Sequence, residues 1–387
     1  MQSEGPLVSV LISTFGRSRL LRRAISCVLM QSFRDFEIVV IDDCSPDDTP
    51  AVVASITDPR IRYYRNETNV GAIQGDRAHV RRFVYTLMRG KYFVYLCDDD
   101  YWLPTDLLER QVNFLEADPG LAFVFGNQLS YFLTTPESYL GGSPGHTVTL
   151  TRDKLAPYFD FDKRQSKSPH FSYIDRLFPK EVMTSEEYLG LFSEQPAACN
   201  RIVGATLYSR AHFVKAGAMA KDQGSTWQAG YEFLMGPACE GGVVFLDEPA
   251  ILTEIREQNA SFQLTQVDHY LDAVKSMELA FETPIENANL SRRRFLRRVR
   301  AEAIRNLTQC FLGNTITIRC EGSLGMCSEE NIAHPVNARQ VLPVYVRNGV
   351  WPTTNDIVLL IHAHFAPYSQ RKPYVGALRS LAHRVRA

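Results

Sequence analysis

Three consecutive carboxylates, Asp98, Asp99 and Asp100, follow the apolar, aromatic-rich run 92–96 in the stretch YFVYLCDDDYWLP. Like charges on neighbouring residues repel, and each is costly to remove from water. At the end of a buried strand such a cluster points to a bound cation. Its oxygen ligands suit Mg²⁺ or Mn²⁺, which commonly join protein carboxylates to substrate phosphates. A solvated acidic turn is the competing reading of so short a motif.

The elements that would position these residues are legible upstream. Residues 7–14 form a continuous apolar run of strand length, and 18–31 then show helical spacing, with Leu21, Ile25, Val28 and Leu29 on one face. A second buried strand is expected over 36–43, a helix from Pro50, a third strand over 61–66, a helix over 75–89 and a fourth strand over 92–97. Strand–helix alternation of this kind argues for a mainly parallel α/β sheet. Ligands of such sheets bind outside the carboxyl ends of the strands. Three polar clusters stand at those ends: Ser13-Thr14-Phe15-Gly16-Arg17, Asp42-Asp43-Cys44-Ser45 and Asp98-Asp99-Asp100. Neither GxGxxG nor GxxxxGK[ST] follows the first strand, which argues against a dinucleotide fold and a P-loop.

Further along, a helix is expected over 105–118, strands over 121–126, 204–209 and 242–248, and a helix over 185–195 with Ser185 as its cap. Residues 134–195 include a long stretch rich in Gly, Pro, Ser and aromatics, of a length usually reserved for function or disorder. From about residue 266 the pattern turns helical. The expected division is therefore 1–265, with a break at 104, and a mostly helical, basic region over 266–387.

The chain has 387 residues, 45% of them hydrophobic, enough for a sizeable core, and a formal net charge of −1. That balance gives no drive toward nucleic acid. Its eight cysteines include no CxxC pair, so reduced thiols in a cytoplasm are the default. No secretory signal and no apolar run of about 20 residues is present, so a cytoplasmic protein is expected. The segment 291–300 carries six arginines and no acid, and its Phe295, Leu296 and Val299, with Ile304 beyond, suit packing on the main domain or lying on the inner face of a membrane. Packing or solvation is the plainer expectation.

Several segments in order resemble the family 2 glycosyltransferases of the GT-A fold: VSVLISTFGR (8–17), VVIDDCSPDDT (39–49), NVGAI (69–73), GKYFVYLCDDDYWLP (90–104), RIVGATLYSR (201–210) and residues 230–261. The resemblance spans roughly 5–262 and implies an inverting, metal-dependent transfer of a sugar from a UDP, dTDP or GDP donor to a hydroxyl of a glycan, lipid carrier or small molecule. It implies a Rossmann-like sheet flanked by helices, with 1–104 as the nucleotide-sugar-binding half and 105–265 as the acceptor-side half. It places Thr14 against the nucleoside, Phe15 and Arg17 among the donor-binding residues, Asp42 or Asp43 on the base, Arg77 near the sugar or diphosphate, Asp98 near the ribose or donor sugar, and Asp99 or Asp100 on Mn²⁺ or Mg²⁺. Cys97 stands where the commoner LDxDD pattern has aspartate.

Inverting transfer also needs a carboxylate base. The family's E-D-Y-E-like segment reads Ala229-Gly230-Tyr231-Glu232 here, with Gly230 at the usual aspartate. Glu232 is therefore the candidate base and Asp222 the runner-up. Arg256, near a position often held by histidine, suits a diphosphate clamp or an ion pair with Glu254 or Glu257. Trp102 and Trp227 suit a sugar pocket or the core, and His170 an acceptor contact or the surface. His362 and His364 alternate as on a strand face, a pattern that suggests zinc but comes without a third ligand. A non-catalytic sugar-nucleotide or glycan-binding module and a sugar-1-phosphate nucleotidylyltransferase are the alternatives, the latter lacking its GxGTR-type signature. A homo-oligomer is left open.

Overall fold

The computed structural model describes residues 5–132, 156, 159–160, 165–166, 171–173, 178–179, 181–196, 203–221, 230–255, 266–321 and 336–365. The N-terminal apolar runs form β1 (Val8–Thr14), β2 (Phe36–Asp42), β3 (Ile61–Arg65) and β4 (Tyr92–Cys97). Between them lie α1 (Ser18–Leu29), α2 (Thr49–Ala54) and α3 (Ala72–Arg82), the last continued by a π-helical turn over Phe83–Leu87. β1 pairs in parallel with β2 and β4, and β2 with β3.

Alternate residues of each strand enter two cores. Val8, Val10 and Ile12 pack with Leu21, Ile25 and Val28 of α1. Leu11, Val39 and Phe93 pack on the other side with Val80, Phe83 and Val84. A strand covered on both faces must be apolar throughout, which is why the runs are continuous rather than alternating. Glu37 is a polar exception in the interior. It accepts hydrogen bonds from Ser9 Oγ (2.7 Å), Arg62 Nη1 (2.9 Å) and Arg89 Nε (2.8 Å).

The second half adds β5 (Asp100–Trp102), α4 (Leu107–Ala117), β6 (Leu121–Phe132), the short strands β7 (Phe159–Asp160), β8 (Gln165–Ser166), β9 (Phe171–Tyr173) and β10 (Val182–Met183), then α5 (Ser185–Glu194), β11 (Thr206–Ser209), α6 (Arg210–Lys215), α7 (Gly230–Ala238) and β12 (Gly242–Ile255). The sheet runs β10-β12-β6-β11-β4-β1-β2-β3, with β5 beside β12 and β9 beside β6. β11 is antiparallel to both β4 and β6, so the sheet is mixed. β6 and β12 are longer than the expected 121–126 and 242–248, and they pair in parallel through register shifts at Leu246–Ile251. Gly126 permits this, since a Cβ there would lie 2.2 Å from Ala250 Cβ. Thr184, not Ser185, caps α5, through a capping box with Glu187.

Beyond residue 265 the chain is helical where described: α8 (Gln266–Asn287), α9 (Leu290–Glu321), α10 (Ala338–Asn348) and α11 (Thr354–Phe365). Tyr270, Met277, Leu296, Ile304 and Val341 share one apolar core with Tyr95 and Phe233. The change at 266 is thus one of secondary structure and not of core. The arginine segment packs: Leu296 and Val299 are buried, and Arg293 caps the end of α8 through the carbonyls of Ile285, Glu286 and Ala288. His362 and His364 lie on a helix rather than a strand. Residues two apart do not share a helix face, which removes the pattern that suggested zinc.

Candidate active site

Register brings the strand-end clusters together. Thr14 stands beside Asp42 across β1–β2, and Ser13 beside Cys97 across β1–β4. Thr14 Oγ1 donates to Asp98 Oδ2 at 2.7 Å, and Arg17 Nη1 reaches Asp98 Oδ1 at 3.1 Å and Asp99 Oδ2 at 3.0 Å. Gly16, at φ 63°, supplies the left-handed turn between Thr14 and Arg17, and its N–H donates to Ser45 Oγ. Phe15 is 47% exposed at the rim of this edge.

The two aspartates ending β2 have different roles. Asp42 is fully buried and accepts from Ser45 N (2.8 Å), Tyr63 Oη (2.5 Å) and Arg65 Nη1 (2.9 Å), so both its oxygens are engaged in holding the turn. Asp43 accepts from Asn66 Nδ2 (2.9 Å) and Val70 N (3.0 Å), both on Oδ1, and no hydrogen bond to Oδ2 is found among the described residues. His79 Nε2 bonds with Asn66 Nδ2 at 2.8 Å and lies 3.6 Å from Asp43 Oδ1. Burial holds the His79 imidazole below its usual range against the pull of Asp43.

In the acidic cluster, burial and the neighbouring Asp99 charge push the Asp98 carboxyl up to about 7, against Arg17 and Thr14. Asp100 is also raised, first by burial and then by Asp99. Its Oδ1 is buried and has no hydrogen-bond partner among the described residues. Cys97, Asp99 and Asp100 each offer a ligand atom, all within 4.8 Å of one another. An orphaned buried carboxylate oxygen next to a second carboxylate fits a hard divalent cation, with Cys97 the poorest match to such an ion. Thr253 bonds to Asp100, and Arg23 reaches the Asp99 carbonyl (3.2 Å) and Glu254 Oε1 (2.5 Å).

Arg77 and Glu232, expected at the donor and as the base, are brought to each other. Arg77 Nη1 and Nη2 donate to Glu232 Oε1 (2.5 Å) and Oε2 (3.2 Å), and Arg77 Nε donates to the Lys221 carbonyl (2.9 Å). Met219 N–H also donates to Glu232 Oε2 (3.3 Å). Both oxygens of Glu232 are therefore taken in a buried pair. Burial raises its carboxyl and Arg77 opposes the rise. Trp102 is fully buried, with Nε1 donating to the Gly204 carbonyl, and belongs to the core rather than to a sugar pocket. Asp222, Trp227, Arg256 and His170 lie outside the described residues. Sequence reasoning passed over Arg23, Asn66 and His79, whose only signal was polarity within helical or turn segments.

Residues 9–184 match the family model described as Glycosyl transferase family 2. A GalNAc(5)-diNAcBac-PP-undecaprenol beta-1,3-glucosyltransferase of Campylobacter jejuni is 36% identical over 128 residues, 32% of this chain and 38% of that protein. The UDP-Glc:alpha-D-GlcNAc-diphosphoundecaprenol beta-1,3-glucosyltransferase WfaP of Escherichia coli is 29% identical over 33% of this chain and 47% of its own length. The chain thus spans less than half the length of these relatives. The structure of S. aureus TarS 1-349 in complex with UDP-GlcNAc superposes with a TM-score of 0.54 at 15% identity, covering 94% of this chain and 93% of that one. The likeness shows a GT-A glycosyltransferase fold. The family match, over residues 9–184, covers the strand ends that carry the candidate site, and over that part the chain is similar to glycosyl transferase family 2.

Proposed function

We propose that this protein is an inverting glycosyltransferase that moves a sugar from a nucleoside diphosphate donor to an acceptor hydroxyl. The observation that carries this is the meeting, at one sheet edge, of Asp43, whose bonds from Asn66 and Val70 fall on Oδ1, and Asp100, whose buried Oδ1 has no partner among the described residues, beside Asp99. Asp43 accepts the imide N–H of the base, and Asn66, Val70 N–H and the Thr14 carbonyl, which takes Asp43 N–H at 2.9 Å, hold it there. Thr14 and Arg17 set the orientation of Asp98 beneath the donor. Asp99 and Asp100 would hold Mn²⁺ or Mg²⁺, which when bound offsets the charge of the departing diphosphate.

In the transfer, the acceptor oxygen forms a bond to the anomeric carbon as the carbon–oxygen bond to the diphosphate breaks. The hydroxyl proton passes to a carboxylate. Because Glu232 has both oxygens engaged, Asp222 is the better base. It follows Lys221 in the sequence. The relatives named for diphosphoundecaprenol-linked acceptors support a lipid-diphosphate-linked saccharide as acceptor and UDP as the donor nucleotide.

A second reading, donor binding without transfer, is favoured by Gly230 in the usual aspartate position and by the closure of Glu232. Calorimetry with UDP, GDP, dTDP and CDP, with Mn²⁺ and with EDTA, tests the donor site. Binding of one nucleotide that collapses with EDTA is expected, and binding of none by folded protein refutes both readings. Release of UDP from UDP-sugar in the presence of a diphosphate-linked acceptor then separates transferase from binding module.

A further inference from the structure

The exposed apolar residues of this protein are not spread evenly. Twelve large hydrophobic side chains are exposed among the described residues, and five of them fall within 342–361. They lie on α10, on α11 and on the turn between them. α10 starts at a capping box on Asn337 and stops at Gly349, whose left-handed φ of 66° ends the helix. Val341, Val344, Tyr345 and Asn348 form its buried face. Leu342 and Val346, one helical turn apart, face outward at 47% and 81% exposure. Trp351, in the turn, is 84% exposed, and Ile357 and Ile361 on α11 repeat the one-turn spacing at 50% each.

The charges of the same segment have one sign at the surface. Its charged residues are Arg339, Arg347 and Asp356. Asp356 is fully buried, accepting from Gln309, Tyr345 and Thr353. Arg339 and Arg347 are exposed, although Arg347 leans on Glu278 (2.7 Å). Arg305 of α9 reaches the Trp351 carbonyl at 3.5 Å and adds a cation beside the turn.

We propose that α10, α11 and the Trp351 turn form a docking surface for an anionic lipid bilayer. Clustered apolar exposure of this kind marks an interaction surface. Trp is the side chain best suited to the headgroup boundary, and outward aliphatic residues on short helices bury into the acyl edge. The arginines complement an anionic headgroup layer. A second copy of the chain fits the surface poorly. A two-fold interface sets a patch against itself, which would bring Arg339 and its copy onto one face with no exposed carboxylate of the same segment to balance them, Arg347 being already paired with Glu278.

The test is flotation of the full chain with vesicles of phosphatidylcholine alone and of equal parts phosphatidylglycerol and phosphatidylcholine, at low and high salt. Binding to the mixed vesicles that weakens with salt is expected. Val346→Ser/Trp351→Ser reduces it by about tenfold or more, and Arg339→Gln by about fivefold. Both variants change exposed residues, so their thermal unfolding should match the wild type. Trp351→Phe keeps the binding but loses the vesicle-induced blue shift of tryptophan emission. Failure of the wild type to float, or unchanged flotation of the double variant, overturns the proposal. A concentration-dependent dimer dispersed by the same variants, without vesicle binding, overturns it in favour of a second copy. The assay contains neither donor nor acceptor, so its outcome is separate from the transferase reading.

Discussion

Replacing Glu232 by Gln keeps the shape of the side chain and leaves the Arg77 guanidinium buried without its counter-charge. Arg77 is 4% exposed and Glu232 2%, so water cannot take the place of the lost carboxylate. Breaking a buried pair by removing one partner costs about 3–5 kcal/mol. The Lys221 carbonyl still holds Arg77 Nε, and the Gln amide oxygen still accepts one bond, which sets the expectation near the lower end, about 3 kcal/mol. Arg77→Met costs less, about 2 kcal/mol at neutral pH, because the stranded carboxyl can take up a proton. The double variant buries no charge and should lose only about 2 kcal/mol in total, giving a coupling of about 3 kcal/mol. Urea unfolding of the four proteins, followed by circular dichroism, measures the cycle. A coupling below about 0.5 kcal/mol would show that the two residues act independently and would refute the buried-pair reading. The pH dependence has a definite sign. With Arg77 gone, the folded carboxyl of Glu232 rises further above its unfolded value, so the protonated form is the one the fold favours. Stability of Arg77→Met is therefore greatest below the unfolded pKa of about 4.3 and falls as pH rises through the folded value. If the pair is purely structural, the double variant keeps its metal-dependent nucleotide binding.

Asp43→Asn should weaken nucleotide binding by about tenfold or more with little change in stability, since an amide presents the wrong group to an imide N–H. Asp42→Asn should do the reverse, costing about 2 kcal/mol of stability by disturbing Ser45, Tyr63 and Arg65, as thermal melts and calorimetry together would show. Asp99→Asn or Asp100→Asn should lower Mn²⁺-supported nucleotide binding by at least about tenfold while leaving the metal-free background unchanged, and equal titrations for wild type and variant would contradict the cation site. Burial pushes the Glu37 carboxyl up, but Ser9, Arg89 and Arg62 outweigh it and hold it below the usual range. Its contribution is present above the unfolded pKa and lost as pH falls through the folded one. Glu37→Gln should thus cost about 2 kcal/mol at pH 7, and the gap to wild type should close in acid, measured by urea unfolding across pH.

The π-turn after α3 and the length of β6 and β12 show where sequence periodicity stops short. Both β6 and β12 were expected to end at polar or glycine residues, yet they continue because Gly126 lets the Ala250 side chain approach. That approach involves residues far apart in the chain, and no local pattern encodes it. Trp102 illustrates the same point, since an aromatic after a metal cluster suits a pocket or a core equally until the Gly204 carbonyl is found against its indole N–H.

Apolar periodicity specifies β1–β4 and the helices between them, the mainly parallel character of that half and the placing of Thr14, Asp43 and Asp98–Asp100 at one sheet edge. Those features follow from the period of apolar residues within each element, a property of neighbours in the chain. The closed fold makes Asp42 structural, with both oxygens bonded, while the bonds to Asp43 among the described residues fall on Oδ1. It alone put Arg77 against Glu232 across 155 residues, left Asp100 Oδ1 without a partner and gathered the exposed apolar residues of α10 and α11. A buried carboxylate takes whichever donors the closed fold presents, and those donors come from segments that meet only when the sheet and the helices over it have packed.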